Sequence, residues 1–313
     1  MLMIILEFST EIGYGGLYMV LISIFGIIIH VFVFCIIYQL ITLCVKKLKI
    51  WIGLIIILII PGLYCIYGYI IPKITKIEKV TIYHEKYVNG KQTTIFHLSD
   101  IHIGAVYQDG FVKSIVKKIN EYKPDIVVIT GDLFDGSIEV KDKWFEPFQE
   151  VDVPILFTMG NHDTDHYGKE KILKVLSNIN NKIYYLKKEE LFSFEDINFL
   201  GVDYDEDLFE SLDKMQDYLV PKGQINILLL HVPENPKKFK DYNIFLILSG
   251  HTHNGQIFPG NLMNYMWYSC VNGLYKVKDG NIYTYVSSGI GNTFFPMRTF
   301  SRSKIALITI KGK

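Results

Sequence analysis

Four short strings in this chain each follow an apolar, β-prone run, and together they restrict the fold more than any other feature. Asp100-Ile101-His102 follows the run at 95–98 and Gly131-Asp132-Leu133-Phe134-Asp135 the run at 126–129. Gly160-Asn161-His162-Asp163 follows 155–157, and Gly250-His251-Thr252-His253 follows 244–248. His231 stands just past a further run at 227–230, so five of the nine histidines fall in such positions. Short apolar runs bounded by turn residues read as buried strands. Aspartate, histidine and asparagine collected at strand ends form a mixed oxygen and nitrogen ligand set, suited to two divalent transition metals. That chemistry points to hydrolysis.

The front of the chain is of a different kind. Residues 17–45 and 50–71 contain no charged side chain, and Lys46, Lys47 and Lys49 lie between the two runs. Each run exceeds the roughly 18 uncharged residues that mark a membrane-spanning helix, so the pair reads as a transmembrane hairpin. Glu7 and Glu11 with no basic leader argue against a cleaved signal peptide. The hairpin lysines favour a cytoplasmic tip, with the following domain on the far side of the cell membrane. Lys73, Lys76 and Lys79 pull the other way but lead into a long domain, where charge counts for less. Pro61-Gly62 predicts a kink in the second span. His30 and Gln39, polar residues without an acidic partner in either span, read as packing or hydrogen-bonding residues.

The expected organisation is therefore an N-terminal segment (1–16), a hairpin (17–71), a connector (72–90) with one alternating stretch that suits an edge strand, and a domain at 91–313. Inside that domain, strands and helices alternate in the first half, including a helical stretch at 139–150. Short strands dominate from about residue 183. This order suggests two sheets packed together with helices outside. Cys35, Cys44 and Cys65 fall in the spans, leaving Cys270 alone in the domain without a partner for an internal disulfide. The zero net charge and the presence of only two arginines argue against a nucleic-acid surface, which draws on many cationic phosphate contacts.

Asp100 and His102 are two residues apart, so in extended chain they would share a face and could reach one metal. Asp132 follows a glycine that lets the strand end sharply, and its two carboxylate oxygens suit it to bridge two ions. His251 and His253 likewise share a face and could bind one metal or divide between two. A lone aspartate after a strand is usually a cap. Lone histidines such as His84, His97 and His166 read as surface or packing residues. Four ligand-bearing strings after four separate strands are not explained by capping.

The ordered set Asp-x-His, Gly-Asp-x-x-Asp, Gly-Asn-His-Asp, a later His and Gly-His-x-His resembles the calcineurin-like metallophosphoesterase superfamily. The later strings Gly-His-Thr-His-Asn-Gly-Gln and Ser-Ser-Gly-Ile-Gly are most similar to its bacterial membrane-associated branch. The resemblance implies a four-layer α/β/β/α sandwich, here preceded by the two-helix hairpin. It also implies a dinuclear centre of manganese, iron or zinc. By position in the motifs, Asp100, His102, Asp132 and His253 resemble the ligands of one metal. Asp132, Asn161, His231 and His251 resemble those of the other. His162 matches a non-ligand histidine that contacts the phosphate and protonates the leaving oxygen, and Asp135 matches the carboxylate that orients it. Asp163 reads as a structural member of its turn. Gly136 stands where the serine/threonine phosphatases carry a phosphate-gripping arginine.

A membrane-anchored phosphoesterase is the function expected from these features. Its substrate would be a phosphomonoester, a phosphodiester or a pyrophosphate-linked lipid or nucleotide, attacked by metal-activated water beside the lipid bilayer. A nuclease or cyclic-nucleotide phosphodiesterase is the alternative within the same chemistry. A non-catalytic scaffold keeping the fold is a remoter one, since every ligand position is filled.

Overall fold

The computed structural model describes residues 15–312 apart from 46–48, 86, 88–89, 137–138, 168, 180–181, 188–189, 219–223 and 278–281. Most of the 1–16 segment, the hairpin residues Lys46 and Lys47, and the side chain of His166 lie outside what is described.

The first uncharged run forms α1 (Gly15–Cys44). The second forms α2 (Ile50–Leu54), a π-helical turn (Ile55–Ile59) and α3 (Ile60–Ile70). Val20–Cys44 and Trp51–Lys73 are long and apolar enough to cross a membrane. Large apolar side chains such as Ile28, Phe32, Leu40, Leu58 and Leu63 face outward, as expected of helices whose surroundings are apolar on all sides. The irregularity expected at Pro61 appears one turn earlier. Ile60 N–H bonds back to Ile55 O, and this wide turn absorbs the hydrogen bond that a proline cannot donate.

Two six-stranded sheets form the rest. The first has the order β1-β12-β2-β3-β4-β5. It is built from β1 (Lys76–His84), β2 (Gln92–Leu98), β3 (Ile126–Thr130), β4 (Ile155–Thr158), β5 (Ile183–Tyr185) and β12 (Lys304–Gly312). The second has the order β10-β11-β9-β8-β7-β6. Its strands are β6 (Leu191–Phe194), β7 (Ile197–Val202), β8 (Ile225–Leu230), β9 (Leu246–Ser249), β10 (Gly273–Lys276) and β11 (Tyr283–Val286). Residues 72–90, expected as a connector, thus supply β1, the edge strand paired in parallel with β12 from Lys76 onward.

Period-two alternation builds the layers. In β3, Ile126 and Val128 face the second sheet, where they join Ile95, Phe199, Ile227 and Leu248. Val127 and Ile129 face the other way, against Val112, Ile115 and Ile119 of α4 (Asp109–Tyr122) and Ile172 and Leu176 of α6 (Lys169–Ile179). The outer face of the second sheet packs Leu228 and Leu230 on Leu212 and Met215 of α7 (Leu208–Tyr218). The short α5 (Asn161–Tyr167) precedes α6. The result is the four-layer α/β/β/α sandwich. The helix expected at 139–150 is instead two 3-10 turns (Asp142–Trp144 and Glu146–Glu150), because Pro147 cannot continue an α-helical hydrogen-bond ladder.

The parallel pairings β2–β3, β3–β4, β7–β8 and β8–β9 bring the ends of these strands to one edge of the sandwich. That edge carries the ligand-type strings.

Candidate metal centre

The chain leaves β-conformation before it presents its ligands. Asp100, His102, Asp132, His251 and His253 all have φ between 48° and 67°. Side chains incur a steric cost there, least for Asp, Asn and His, and such strain clusters at functional sites. Asp100 and His102 do converge, but through two left-handed residues rather than the strand alternation expected from their spacing. The loops after β2 and β3 remain bonded to each other: Asp100 N–H to Gly131 O (3.1 Å), His102 N–H to Asp132 O (3.0 Å) and Ile103 N–H to Leu133 O (2.9 Å). His251 N–H donates to Asp100 Oδ1 at 3.0 Å and so ties the second sheet to the first. Glycine is required where the loops crowd. A Cβ on Gly131 would collide with His231 Nδ1, and one on Gly160 would collide with Asp132 Oδ1.

Three overlapping groups result, each with its ligand atoms within 4.8 Å of one another: Asp100, His102 and His253; His102, Asp132 and His162; Asp132, His231 and His251. In the first, His102 Nε2 is 3.2 Å from His253 Nε2, and Asp100 Oδ1 is 3.4 Å from the latter. In the last, Asp132 Oδ2 is 3.2 Å from His231 Nε2. Asn161 Oδ1 adds a neutral oxygen 3.1 Å from His231 Nε2 and 3.0 Å from His251 Nδ1. His251 and His253 therefore divide between the two ends of the cluster, and Asp132 stands between them.

Burial sets the charge state. It drives His102 down to about 3 and His251 to about 4, and takes His253 well below the ordinary imidazole value, so these rings stay neutral with lone pairs free. Burial also raises Asp100 to about 6. His231 and Asp132 form a buried pair in which attraction outweighs burial. The imidazole rises to about 9 and the carboxyl is held below its ordinary range. His231 Nδ1 lies 2.9 Å from Thr130 O, which accepts its hydrogen and leaves Nε2 facing Asp132.

Around this cluster sit the remaining expected residues. His162 lies half-buried at the cavity wall, with its backbone N–H on Asp132 Oδ1 (2.9 Å) and its ring 4.8 Å from that of His102. Its Nδ1 is 2.9 Å from the main-chain carbonyl of Asp135. The family resemblance implied the Asp135 carboxylate for this orienting contact; that carboxylate lies 3.7 Å from His102 Nδ1. Asp163 is structural, accepting from Gly160 N–H (2.8 Å) and Phe134 N–H (3.0 Å). Burial raises its carboxyl to about 7. His97 is a packing residue, fully buried and bonded to Thr130 Oγ1 at 2.8 Å.

Three contacts were not legible from spacing. Thr293 Oγ1 lies 3.0 Å from His102 Nε2 and 2.9 Å from His253 Nε2. Tyr268 Oη is 3.0 Å from His251 Nε2, which leaves Nδ1 of that ring for the cluster. Arg298, fully buried, donates to Ser288 O (2.7 Å), Asn292 Oδ1 (2.8 Å) and Ser301 Oγ (3.0 Å), and approaches His253 Nδ1 at 3.1 Å. Burial lowers its guanidinium to about 10, still charged. Ligation through His253 Nε2 would put a hydrogen on Nδ1, so Arg298 would then rest on its other acceptors. The signal for two of these was the Ser-Ser-Gly-Ile-Gly string, which opens the loop that carries Thr293 and Arg298.

The donor set fits a divalent pair. The buried carboxylates of Asp100 and Asp132 converge with the imidazole nitrogens of His102, His231, His251 and His253. Such convergence is costly unless a cation occupies it.

The sequence profile of the calcineurin-like phosphoesterases matches residues 93–255, just over half of the chain. An uncharacterized metallophosphoesterase of Helicobacter pylori (strain J99 / ATCC 700824) is 34% identical over 250 residues, covering 76% of this chain and 64% of its own length. A Danio rerio protein, "Transmembrane protein with metallophosphoesterase domain", is 31% identical over 274 residues, covering 81% of this chain and 62% of its own. The matches thus span just under two thirds of these relatives' lengths. The crystal structure of TT1561 of Thermus thermophilus aligns with a TM-score of 0.45 and 14% identity, over 64% of this chain and 91% of that one. With its profile match running from the strand before Asp100 through the loop of His253, the chain belongs to the calcineurin-like phosphoesterase family.

Proposed function

We propose that the protein is a membrane-anchored, metal-dependent phosphoesterase. The observation that carries this reading is the shared position of Asp132, 3.7 Å from His102 Nε2 on one side and 3.2 Å from His231 Nε2 on the other. Asp100, His102, Asp132 and His253 would hold one divalent ion, and Asp132, Asn161, His231 and His251 the other. The oxygen and nitrogen donors suit manganese, iron or zinc. Such a pair supplies charge neutralisation for the phosphate ester and activation of water. The chain's own residues do the rest. His162 stands on the cavity side of the cluster with Nδ1 committed to the Asp135 carbonyl, so Nε2 is the position from which a proton reaches the leaving oxygen. Tyr268 holds the His251 ring, Arg298 reaches the main-chain carbonyl of His253, the Asp135 carboxylate faces His102 from behind, and mono- and diesters are both admissible substrates.

Residues 17–71 form the anchor in this reading, and the catalytic unit begins with β1. The relative named as a transmembrane protein pairs a membrane segment with the same domain, which supports the anchor. The lysines at 46, 47 and 49 favour a cytoplasmic hairpin tip and an extracytoplasmic catalytic domain. Protease added to cells stripped of their wall should digest that domain; protection until the membrane is breached reverses the orientation. The activity is tested on the full chain in detergent. Chelation should abolish turnover of nitrophenyl phosphate mono- or diesters, and manganese should restore it. Full turnover by metal-free protein would overturn the proposal.

A further inference from the structure

The cluster opens into a cavity of about 520 Å³ whose far wall is not part of the catalytic sandwich. On one side it is lined by Asp132, His162, His253, Phe258 and Phe294. On the other it is lined by Gly26, Ile29, His30, Val33, Phe34 and Ile37 of α1, with Tyr64 of α3 closing the side. The α1 positions recur at intervals of three and four, so they form one continuous face of the helix. From Gly26 to Ile37 that face rises roughly 16 Å at about 1.5 Å per residue. The depth is about half of the ~30 Å hydrocarbon core, that is, one leaflet. His30, the one polar side chain on the face, turns its Nδ1 back onto its own helix, to Gly26 O at 2.6 Å.

The protein surface beside the cavity mouth is apolar on its outside. In α8 (Gly260–Trp267) the polar residues point inward: Asn261 Nδ2 donates to Asn254 O at 2.7 Å and Asn264 Nδ2 to Thr252 O at 2.6 Å. The apolar residues point outward, with Leu262, Tyr265, Met266 and Trp267 exposed by 60, 64, 80 and 68%. Phe294 and Phe300, exposed by 62 and 69%, continue this surface. A helix on the surface of a water-soluble domain has the opposite polarity. An outward apolar face with Trp and Tyr is that of an element lying in the membrane interface. The loop that α8 holds by these two asparagine bonds is the one that carries His251 and His253. The catalytic loops are in turn seated on the hairpin, through Arg298 N–H to Gly68 O (2.9 Å) and Tyr64 Oη to Thr299 Oγ1 (2.5 Å).

We propose that the substrate is a phosphate ester bearing a long alkyl or acyl chain, taken directly from the adjoining leaflet, with its chain in the α1 groove and its phosphate at the Asp132 cluster. This rests on the phosphoesterase reading and adds to it where the rest of the substrate lies. The bilayer-facing α8 and the 294–300 loop hold the cluster at headgroup level, so the ester bond reaches the site while the chain stays in an apolar medium.

The test uses the full chain in lipid nanodiscs with manganese, and two homologous series, n-alkyl phosphates and n-alkyl nitrophenyl phosphates, from ethyl to dodecyl. Each methylene buried in the groove is worth about fourfold in kcat/KM, from ~0.8 kcal/mol per CH₂. A rise of at least 100-fold across one series is expected. Partition into the nanodisc also favours long chains, so Val33→Trp, which fills the groove, separates the two effects. It should flatten the chain dependence, whereas partition alone would keep the wild-type slope. Ile37→Trp, deeper in the groove, should move the plateau to shorter chains, and it serves should Val33→Trp fail to assemble. If both variants keep the wild-type chain dependence, the groove does not bind the chain and the inference falls with the phosphoesterase intact. No turnover in either series overturns the phosphoesterase reading itself.

Discussion

The main-chain carbonyl of Asp135 lies 2.9 Å from Nδ1 of His162. A carbonyl oxygen only accepts, so this contact fixes the hydrogen on Nδ1 and turns Nε2 to the cavity. Replacing His162 with alanine is expected to lower kcat by about 10²–10⁴-fold, the usual worth of a positioned proton donor. Metal content measured on the same sample should be unchanged. An emptied site in His162→Ala would instead make His162 a ligand, a role its place beside His102 and Asp132 permits.

Asp132 and Asp135 should differ in kind when each is changed to asparagine. Asp132→Asn removes the charge shared by both ends of the cluster, and loss of both ions is expected. Asp135→Asn acts from behind His102, whose Nδ1 its carboxylate faces at 3.7 Å. Loss of such a supporting carboxylate weakens metal affinity by about 10–100-fold. Titration of metal-stripped protein with manganese distinguishes the two. Equal affinities for Asp135→Asn and wild type would remove the carboxylate from the site's support.

How much of this was legible in the sequence follows from what each signal encodes. The strands of the central layers read directly, because runs such as 126–129 and 227–230 are buried on both faces and carry no polar residue. The ligand strings read because they couple glycine with Asp, Asn and His just past those runs. The path of the chain through them did not: spacing in Asp100-Ile101-His102 suggests an extended segment, whereas both residues are left-handed. Nor did the support from Thr293, Tyr268 and Arg298, which reach the cluster from far along the chain as single residues without periodicity. The 139–150 helix failed because its composition suits a helix while Pro147 forbids one. The inverted polarity of α8 is visible in residues 260–267 only once Asn261 and Asn264 are known to point inward.

Glu78 links the two sheets and should make stability sensitive to acid. Its Oε2 accepts from Tyr285 Oη at 2.6 Å and from Lys304 Nζ at 3.0 Å. Burial favours its protonation, but these two donors outweigh it and hold the carboxyl below its ordinary range. A depressed carboxyl contributes stability above its unfolded value, near ~4.3, and loses it as pH falls through the lower folded value. Glu78→Gln is expected to cost about 1.5–3 kcal/mol at pH 7, the range for a hydrogen bond to a charged group. The deficit should shrink as unfolding is measured at successively lower pH below the ordinary carboxylate value. A deficit independent of pH would remove the charge from the explanation.

Gly68 is one point where the second span touches the catalytic loop. A Cβ there would lie 3.0 Å from Met297 Cε and 3.1 Å from Thr299 Cγ2, and its own carbonyl accepts from Arg298 N–H at 2.9 Å. Alanine is expected to be tolerated, because the methionine end can move by a few tenths of an ångström. Leucine cannot be placed without pushing the 297–299 segment off the helix, and overpacking of this kind costs about 1–3 kcal/mol. Leucine is also among the residues best suited to a membrane helix, so Gly68→Leu should insert normally and any defect belongs to the interface. The displaced segment carries Arg298, which braces His253, so the strain should reach the ligand cluster. The expected outcome is faster proteolysis within 293–302 and weaker manganese binding for Gly68→Leu, with Gly68→Ala close to wild type on both. If leucine leaves both readouts unchanged in lipid nanodiscs, the hairpin and the catalytic loop do not pack there, and the α1 groove loses its connection to the metal cluster.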